Sequence, residues 1–546
     1  MAKKYYDLLF VVFLLIILIL TKFSVLNMPY YWDGLNFLAA TIDYLQNNGF
    51  GPELLSYNLG HPIFFPWFIS LMFKIFTSSP IIANLIILIS AFLSLFFTYL
   101  IGKNLFSRKV GIIASLLLFF TPMFFSYSAL LFLDMPLAAF TVMALYFAIR
   151  SKAFLYFIFS SLAILTKENG ILVVFGVLIA KLIKEKKITK NLIIYSLPIL
   201  TFLGFLIMNK VYYEEFLYPT TTSLIKTNPI KIIFNFLIIL KIIFFDQYRW
   251  VLTSLLILSF SNINLKKLKL NKGIILKIVI SIFVFLILYK LDILTNIFSS
   301  FYPNIGDYLI TVKQFSPLFA LLFFLILLKY EDIIKEFSFN KNIYIVITFF
   351  ITLIAFSLIV PISPRYLIPL LPSIFLFYSS SLCKLFKKYS YLVASIIIII
   401  FVFNFTGNRS NVGFALENNM EYIDVIKTHQ MAASYIENDF PNANVLAAFP
   451  QSSELKYTYG GYVKKSIKVI TYSPLPGVVE KNFTQFLYPE AIPEFNPNLS
   501  NIDLYYYSPQ EYPTKPILET AKKLNLTLIK KFEINNKSTE IYIVNK

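Results

Sequence analysis

Five polar stretches interrupt a chain otherwise dominated by apolar runs, and each lies where such a run ends or begins. The first is Tyr30-Tyr31-Trp32-Asp33-Gly34-Leu35-Asn36, which sets an acid between the first apolar run and an amphipathic segment closing at Asn47-Asn48-Gly49. A carboxylate so placed suits a general base or a metal ligand at a membrane surface. The competing reading of Asp33 is a helix N-cap, favoured by the positive end of the helix dipole. The second stretch, Asn58-Leu59-Gly60-His61-Pro62-Ile63-Phe64-Phe65-Pro66, carries one of only two histidines. An imidazole at His61 can meet a phosphate or a reacting hydroxyl, or it can be an interfacial ring satisfied by backbone.

The third stretch is Leu133-Asp134-Met135-Pro136, an acid between two apolar runs that is either functional or merely solvated. The fourth is Leu165-Thr166-Lys167-Glu168-Asn169-Gly170, where Lys167 can neutralise a phosphate or snorkel from a helix end. The fifth, Ser363-Pro364-Arg365-Tyr366-Leu367-Ile368-Pro369-Leu370-Leu371-Pro372, offers a guanidinium able to grip phosphate oxygens bidentately. Its competing reading is an interfacial anchor.

The elements that must position these residues are membrane helices. The chain has 546 residues, 58% hydrophobic, with mean hydropathy +0.71 and 14% charged residues. Soluble domains are about a quarter charged, so these values place the chain in a bilayer. A hydrocarbon core of about 30 Å needs roughly 20 apolar residues per helix. Runs of that kind predict spans at 6–26, 80–102, 110–127, 135–150, 153–166, 170–184, 192–209, 247–261, 273–292, 313–330, 343–361, 366–384 and 389–405. The segment after Asp33 and the segment Pro229 to Phe245 read as amphipathic helices in the interface plane. About 13 transmembrane helices therefore form an all-α polytopic bundle over residues 1–405.

A net charge of +19 raises nucleic acid as a partner. The basic residues instead fall in alternate short loops, at Lys103, Arg108 and Lys109, then Lys184, Lys186 and Lys187, then Lys384, Lys387 and Lys388. That is the positive-inside pattern, with headgroups rather than nucleic acid as the partner. It puts the N-terminus in the cytoplasm and Asp33, His61, Asp134, Lys167 and Arg365 together on the outer face. No signal-peptide cleavage site follows the first apolar run. The single cysteine, Cys383, excludes an internal disulfide and a cysteine-based metal centre.

An odd number of spans exports residues 406–546, where asparagine, tyrosine, proline and charge rise. Every Asn-x-Ser/Thr sequon, from Asn404 to Asn536, lies at or beyond the last span. The tail reads as a small α/β domain. It has a helix over Glu421 to Asp439, strands at Val445–Phe449, Val469–Tyr472 and Leu504–Tyr507, a helix at Ile517–Leu524, and a hairpin around Asn535-Asn536-Lys537. No phosphate-binding glycine loop or zinc-protease pattern occurs anywhere.

In this order the five stretches match a known pattern: an acid after the first span, a His-Pro re-entry, an Asp-x-Pro turn, Leu-Thr-Lys-x-x-Gly, and a late Arg-Tyr-Leu-x-Pro-Leu-x-Pro span. The chain resembles the C-type membrane glycosyltransferases, in the branch of the dolichyl-phosphate-mannose–protein mannosyltransferases and the lipid A aminoarabinose transferases. The resemblance implies a polyprenyl-phosphate-linked sugar donor and transfer with inversion to a protein, lipid or glycan acceptor at the outer face. It places Asp33 and Asp134 as the catalytic pair. Lys167 and Arg365 neutralise the donor phosphate, with His61, Glu168 and Tyr366 in the substrate-binding set. Mannosyltransferases often carry Asp-Glu in the first loop, where this chain has Asp33-Gly34, so no cofactor is implied with certainty and a divalent cation at Asp33 stays open. The competing functions are a transporter or flippase of lipid-linked saccharides, and a non-catalytic assembly protein acting through its exported tail.

Overall fold

The structure is a computed structural model. It describes residues 2–51, 61–217, 229–260, 276–277, 279–282, 343–358, 363–406, 419–471, 497–511 and 515–546.

Most of the apolar runs form helices within a few residues of the expected bounds, and the run expected at 192–209 is two helices, Lys190–Ser196 and Pro198–Tyr213. In chain order the helices are α1 (Ala2–Lys22), α2 (Ala40–Asn48), α3 (Phe64–Ile75), α4 (Pro80–Leu105) and α5 (Arg108–Phe120). They continue with α6 (Pro122–Tyr127), α7 (Asp134–Ile149), α8 (Ala153–Thr166), α9 (Ile171–Glu185), α10 (Lys190–Ser196) and α11 (Pro198–Tyr213). The later helices are α12 (Pro229–Phe244), α13 (Arg249–Phe260), α14 (Ile343–Ser357), α15 (Leu371–Phe386) and α16 (Ser390–Thr406). Among the described residues, four helical stretches are long and apolar enough to cross a bilayer: Tyr5–Val25, Pro80–Leu105, Lys190–Tyr212 and Pro364–Asn404. Shorter apolar helices fill the bundle between them. The spans expected at 273–292 and 313–330 lie outside the described residues, save for short pieces of the first.

Proline explains the main departures from the expected spans. Pro122 sits at the first turn of α6, so the run read as one helix over 110–127 is two. Pro364, Pro369 and Pro372 likewise turn the start of the expected 366–384 span into a 3-10 segment, Pro364–Leu370, before α15 begins. Caps mark other starts: the Ser107 hydroxyl accepts from Val110 N–H at the head of α5, and Thr189 accepts from Leu192 N–H at the head of α10.

Close approaches of glycine hold helices together where lipid offers no hydrophobic drive. A Cβ on Gly102 would lie 2.6 Å from the Gly111 Cα, and one on Gly176 would lie 2.6 Å from the Thr348 Cα. These contacts bind α4 to α5 and α9 to α14. The α12 segment, expected to lie in the interface plane, turns its polar residue inward. Asn235 is fully buried, and its amide donates to the carbonyls of Phe356 and Ser357 at the end of α14. Those carbonyls lack helical partners, so the asparagine satisfies them.

Basic side chains cluster at one end of the bundle. There Asp7 pairs with Lys103 and Arg108, and Lys109 donates to the Lys387 carbonyl. This gathers the first and last basic loops at the end that holds the N-terminus.

The C-terminal residues form α17 (Glu421–Asp439), α18 (Gln451–Lys456), α19 (Lys515–Lys522) and five strands. The strands are β1 (Asn444–Ala447), β2 (Lys468–Ile470), β3 (Leu504–Tyr507), β4 (Leu526–Ile534) and β5 (Lys537–Val544), ordered β2-β1-β3-β5-β4. β1 runs parallel to β2 and β3, while β5 runs antiparallel to β3 and β4. The β4–β5 connection is the two-residue turn Asn535-Asn536, both at positive φ (48° and 66°), as a tight hairpin of this hand requires. One apolar core runs from the helices into this sheet unit: Tyr31 packs on Tyr422 with ring centroids 6.1 Å apart, and Tyr30 N–H donates to the Gly460 carbonyl.

Candidate active site

The site begins with the chain leaving α1. Residues Tyr31 to Asn36 form a tight corner in which Gly34 N–H donates to the Tyr31 carbonyl and Asn36 N–H to the Trp32 carbonyl. The corner then winds into a π-helical turn, Gly34–Ala39, an arrangement frequent at functional sites. Trp32 takes φ +46°, a left-handed conformation costly for a bulky residue and stable only when its surroundings impose it. Asp33 stands at the head of the turn but makes no side-chain cap hydrogen bond. Its carboxylate instead accepts from the Arg365 guanidinium, so the N-cap reading of Asp33 does not hold.

Gly34 explains why no second acid follows Asp33. A Cβ there would sit 2.6 Å from the Leu131 carbonyl oxygen, a backbone atom that cannot step aside. Close packing of the corner on the Leu131 strand of chain rules out the Asp-Glu pattern at this position.

Arg365 comes from the proline-rich 3-10 segment. Besides Asp33 it faces Asp134, with Nε 3.6 Å from Oδ2, and its guanidinium lies over the Phe132 ring at 4.7 Å. Asp134 opens α7 and is almost fully buried. It accepts from Lys167 Nζ at 2.8 Å, and that ammonium lies 4.1 Å from the centroid of the Tyr366 ring. Lys167 is itself buried, so it does not snorkel, and Asp134 is not a solvated turn acid. Next in the chain, Glu168 pairs with His61, Nδ1 to Oε2 at 2.8 Å.

The structure thus joins all seven residues singled out in the sequence. Asp33, Arg365, Asp134 and Lys167 form one connected run of alternating charge, Tyr366 flanks it, and the His61–Glu168 pair adjoins it through the chain. The seven come from five separate stretches. Among the described residues, no group of three or more His, Cys, Asp and Glu side chains gathers as a metal site would need. In this structure the Asp33 carboxylate is paired with the Arg365 guanidinium.

Sequence reading missed the other side of Asp33. Glu511, just past β3, accepts from Tyr31 OH at 3.2 Å and from Trp32 Nε1 at 2.9 Å. The Trp32 ring also meets Phe449 edge-on at 5.1 Å. Behind Glu511 lies a buried polar cluster: His429 Nδ1 bonds Glu454 Oε1 at 2.9 Å, and His429 Nε2 meets Ser508 Oγ at 3.0 Å. Burial pushes the Glu511 carboxyl up to about 7, with the Glu454 charge adding to the shift and the His429 charge opposing it. Burial opposes the charged form of His429, but the Glu454 carboxylate outweighs it and raises the imidazole above its ordinary value. The signal for this cluster was the second histidine, His429, on a helix whose neighbours are not apparent from spacing.

Comparison with known proteins shows a partial sequence match and a likeness of fold. The family model described as dolichyl-phosphate-mannose-protein mannosyltransferase matches residues 60–212, which include His61, Asp134, Lys167 and Glu168. The structure is similar to that of ArnT from Cupriavidus metallidurans bound to undecaprenyl phosphate, with TM-score 0.51 and 13% identity, covering 99% of this chain and 98% of that one. The apo state of the same ArnT aligns with TM-score 0.49 and 12% identity over 99% and 98% of the two chains. The archaeal oligosaccharyltransferase AglB from Archaeoglobus fulgidus, in complex with an inhibitory peptide and a dolichol-phosphate, aligns with TM-score 0.39 and 11% identity over 98% and 74%. No curated protein matches the chain in sequence. The bound-state ArnT likeness extends over nearly the whole chain, and the fold is that of the C-type membrane glycosyltransferases the motifs resembled.

Proposed function

We propose that this chain, which has the C-type glycosyltransferase fold, is a membrane enzyme that moves a sugar from a polyprenyl-phosphate donor to an acceptor hydroxyl on a protein, lipid or glycan. Transfer takes place at the outer face of the membrane, with inversion at the anomeric carbon. The observation that carries this reading is the connected run Asp33–Arg365–Asp134–Lys167, a buried lysine and a largely shielded arginine held by two acids at one end of an apolar bundle. The family model over residues 60–212 and the undecaprenyl phosphate in the ArnT complex support a polyprenyl-phosphate donor.

The chemistry follows from the pairing. A sugar on a polyprenyl phosphate is a phosphodiester with one negative charge, and the leaving phosphate gains a second as the sugar–oxygen bond breaks. Arg365 and Lys167 meet that growing charge in a partly desolvated site, where fixed cations act most strongly. The donor phosphate competes with Asp33 for the guanidinium, so donor binding frees the Asp33 carboxylate. Asp33 then takes the proton of the acceptor hydroxyl as its oxygen attacks the anomeric carbon from the face opposite the phosphate. Asp134 stays buried beneath both cations and holds them in place. The seven site residues, the exported residues 406–546 and the cytoplasmic N-terminus belong to this proposal.

The test is direct. Purified protein in lipid nanodiscs is given polyprenyl-phosphate sugars of several kinds, and release of free polyprenyl phosphate is followed with each acceptor class. Release coupled to a new glycoside supports the proposal. Passage of the intact lipid-linked sugar across liposomes without any release contradicts it and favours a flippase.

A further inference from the structure

The C-terminal sheet unit touches the first loop at the two residues that precede Asp33. Tyr31 and Trp32 each give their polar hydrogen to a different oxygen of one carboxylate, Glu511, which is 3% exposed. Trp32 is the residue held at φ +46°, and the edge of Phe449 closes its other side. A strained tryptophan beside a catalytic acid keeps its conformation only if something outside the loop holds it. The two bonds from Glu511 are the hold.

We infer that Glu511 is a positioning residue for Asp33, fixing the Tyr31–Trp32 corner from which the Asp33 carboxylate reaches into the site, both when it meets Arg365 and when the donor phosphate has displaced it. This rests on the reading of Asp33 as the base. It gives the exported unit a part in the reaction: undocked from the first loop, it would leave Trp32 free to relax and Asp33 free to swing out of the site.

The grip also depends on charge. Only the ionised carboxylate can accept from both donors at once without offering a proton of its own. Glu511 faces Tyr31 and Trp32 from the first loop, His429 from α17, Glu454 from α18, and the phenols of Tyr462 and Tyr506. With its carboxyl raised to about 7, the grip tightens as pH rises through neutrality.

Glu511→Gln keeps the shape but replaces one acceptor by a donor. Trp32→Phe keeps the edge contact with Phe449 and removes the indole donor. In full-length protein, each variant is expected to lower kcat about tenfold or more while KM for the lipid donor changes by less than about threefold. The pair together should be little worse than either alone, because both remove one interaction. The rise of kcat with pH near neutrality should be lost in Glu511→Gln. A pH titration of the Trp32 emission, read as the difference between wild type and Trp32→Phe, should show a step near neutrality that Glu511→Gln abolishes. Wild-type kcat and pH profile in Glu511→Gln, or losses that multiply in the double variant, would overturn the inference. Absence of any transferase activity in wild type would instead sink the proposed function, and the emission titration would still decide whether Glu511 grips Trp32.

Discussion

Arg365 donates to the carboxylate of Asp33 across 332 residues of chain. Nothing local joins them: one leaves the first helix, the other opens the 3-10 segment before α15. Both side chains are more than half shielded, so the pair is neither a helix cap nor a surface bridge. Under the proposed function, this pair is where an incoming donor phosphate exchanges with the acid.

Asp33→Asn removes the proposed base and the ionic partner of Arg365 while keeping the side-chain size. It is expected to lower kcat by about 10²–10⁴, the usual contribution of a general base, with donor affinity unchanged or improved. Steady-state kinetics with a polyprenyl-phosphate sugar checks this.

Lys167→Met takes away the proposed phosphate contact and leaves the buried Asp134 without its lysine partner. Donor KM should rise roughly ten- to hundredfold. Breaking a buried ion pair by removing one member costs about 3–5 kcal/mol, so the midpoint of denaturation should also fall. The double variant Lys167→Met/Asp134→Leu is expected to regain much of that stability and none of the activity. Recovery of both would show that the pair is purely structural.

Gly34→Ala places a methyl group 2.6 Å from the Leu131 carbonyl oxygen. Overpacking of this kind costs about 1–3 kcal/mol, and because the shift falls on the Asp33 corner, kcat should fall with it. Gly34→Glu, which restores the acid pair common among mannosyltransferases, should be worse on both counts. A stable and more active Gly34→Glu protein would show that the corner has room for a second acid.

Stability should fall as pH rises through the window set by Glu511 and His429. Glu511 has its folded value raised from 4.5 to about 7, so the folded state binds the extra proton and this contribution is lost as pH rises between those values. His429, raised above 6.5, acts in the same sense, with its stabilisation present at lower pH and lost above its folded value. Thermal unfolding across this window should therefore show a declining midpoint for wild type and a shallower decline for Glu511→Gln. Equal slopes would mean that Glu511 titrates normally.

The bundle and the polar run were legible because each rests on a local signal. Apolar length marked the helices, while the prolines at 364, 369 and 372 account for the 3-10 entry to α15 that length alone did not show. Asp134, Lys167 and Arg365 stood out because charge is rare beside such runs. The hairpin at Asn535-Asn536 was legible for the same reason, since few residues accept positive φ in succession. What stayed hidden depended on distant packing. The inward turn of Asn235 answers the open carbonyls of α14, which no periodicity in α12 encodes. Gly34 read as a missing acid until the Leu131 carbonyl showed that no side chain fits. Glu511 lies 478 residues from Asp33 in number, and only the docking of the sheet unit brings them into one site.

The most direct test of Asp33 as the base of an inverting transfer is the anomeric configuration of the product, measured by NMR under single-turnover conditions for wild type and Asp33→Asn. The account predicts a glycoside inverted relative to the polyprenyl-phosphate donor in wild type, formed in step with free polyprenyl phosphate, and almost none from Asp33→Asn. Retained configuration, or transfer by Asp33→Asn at the wild-type rate, would contradict it.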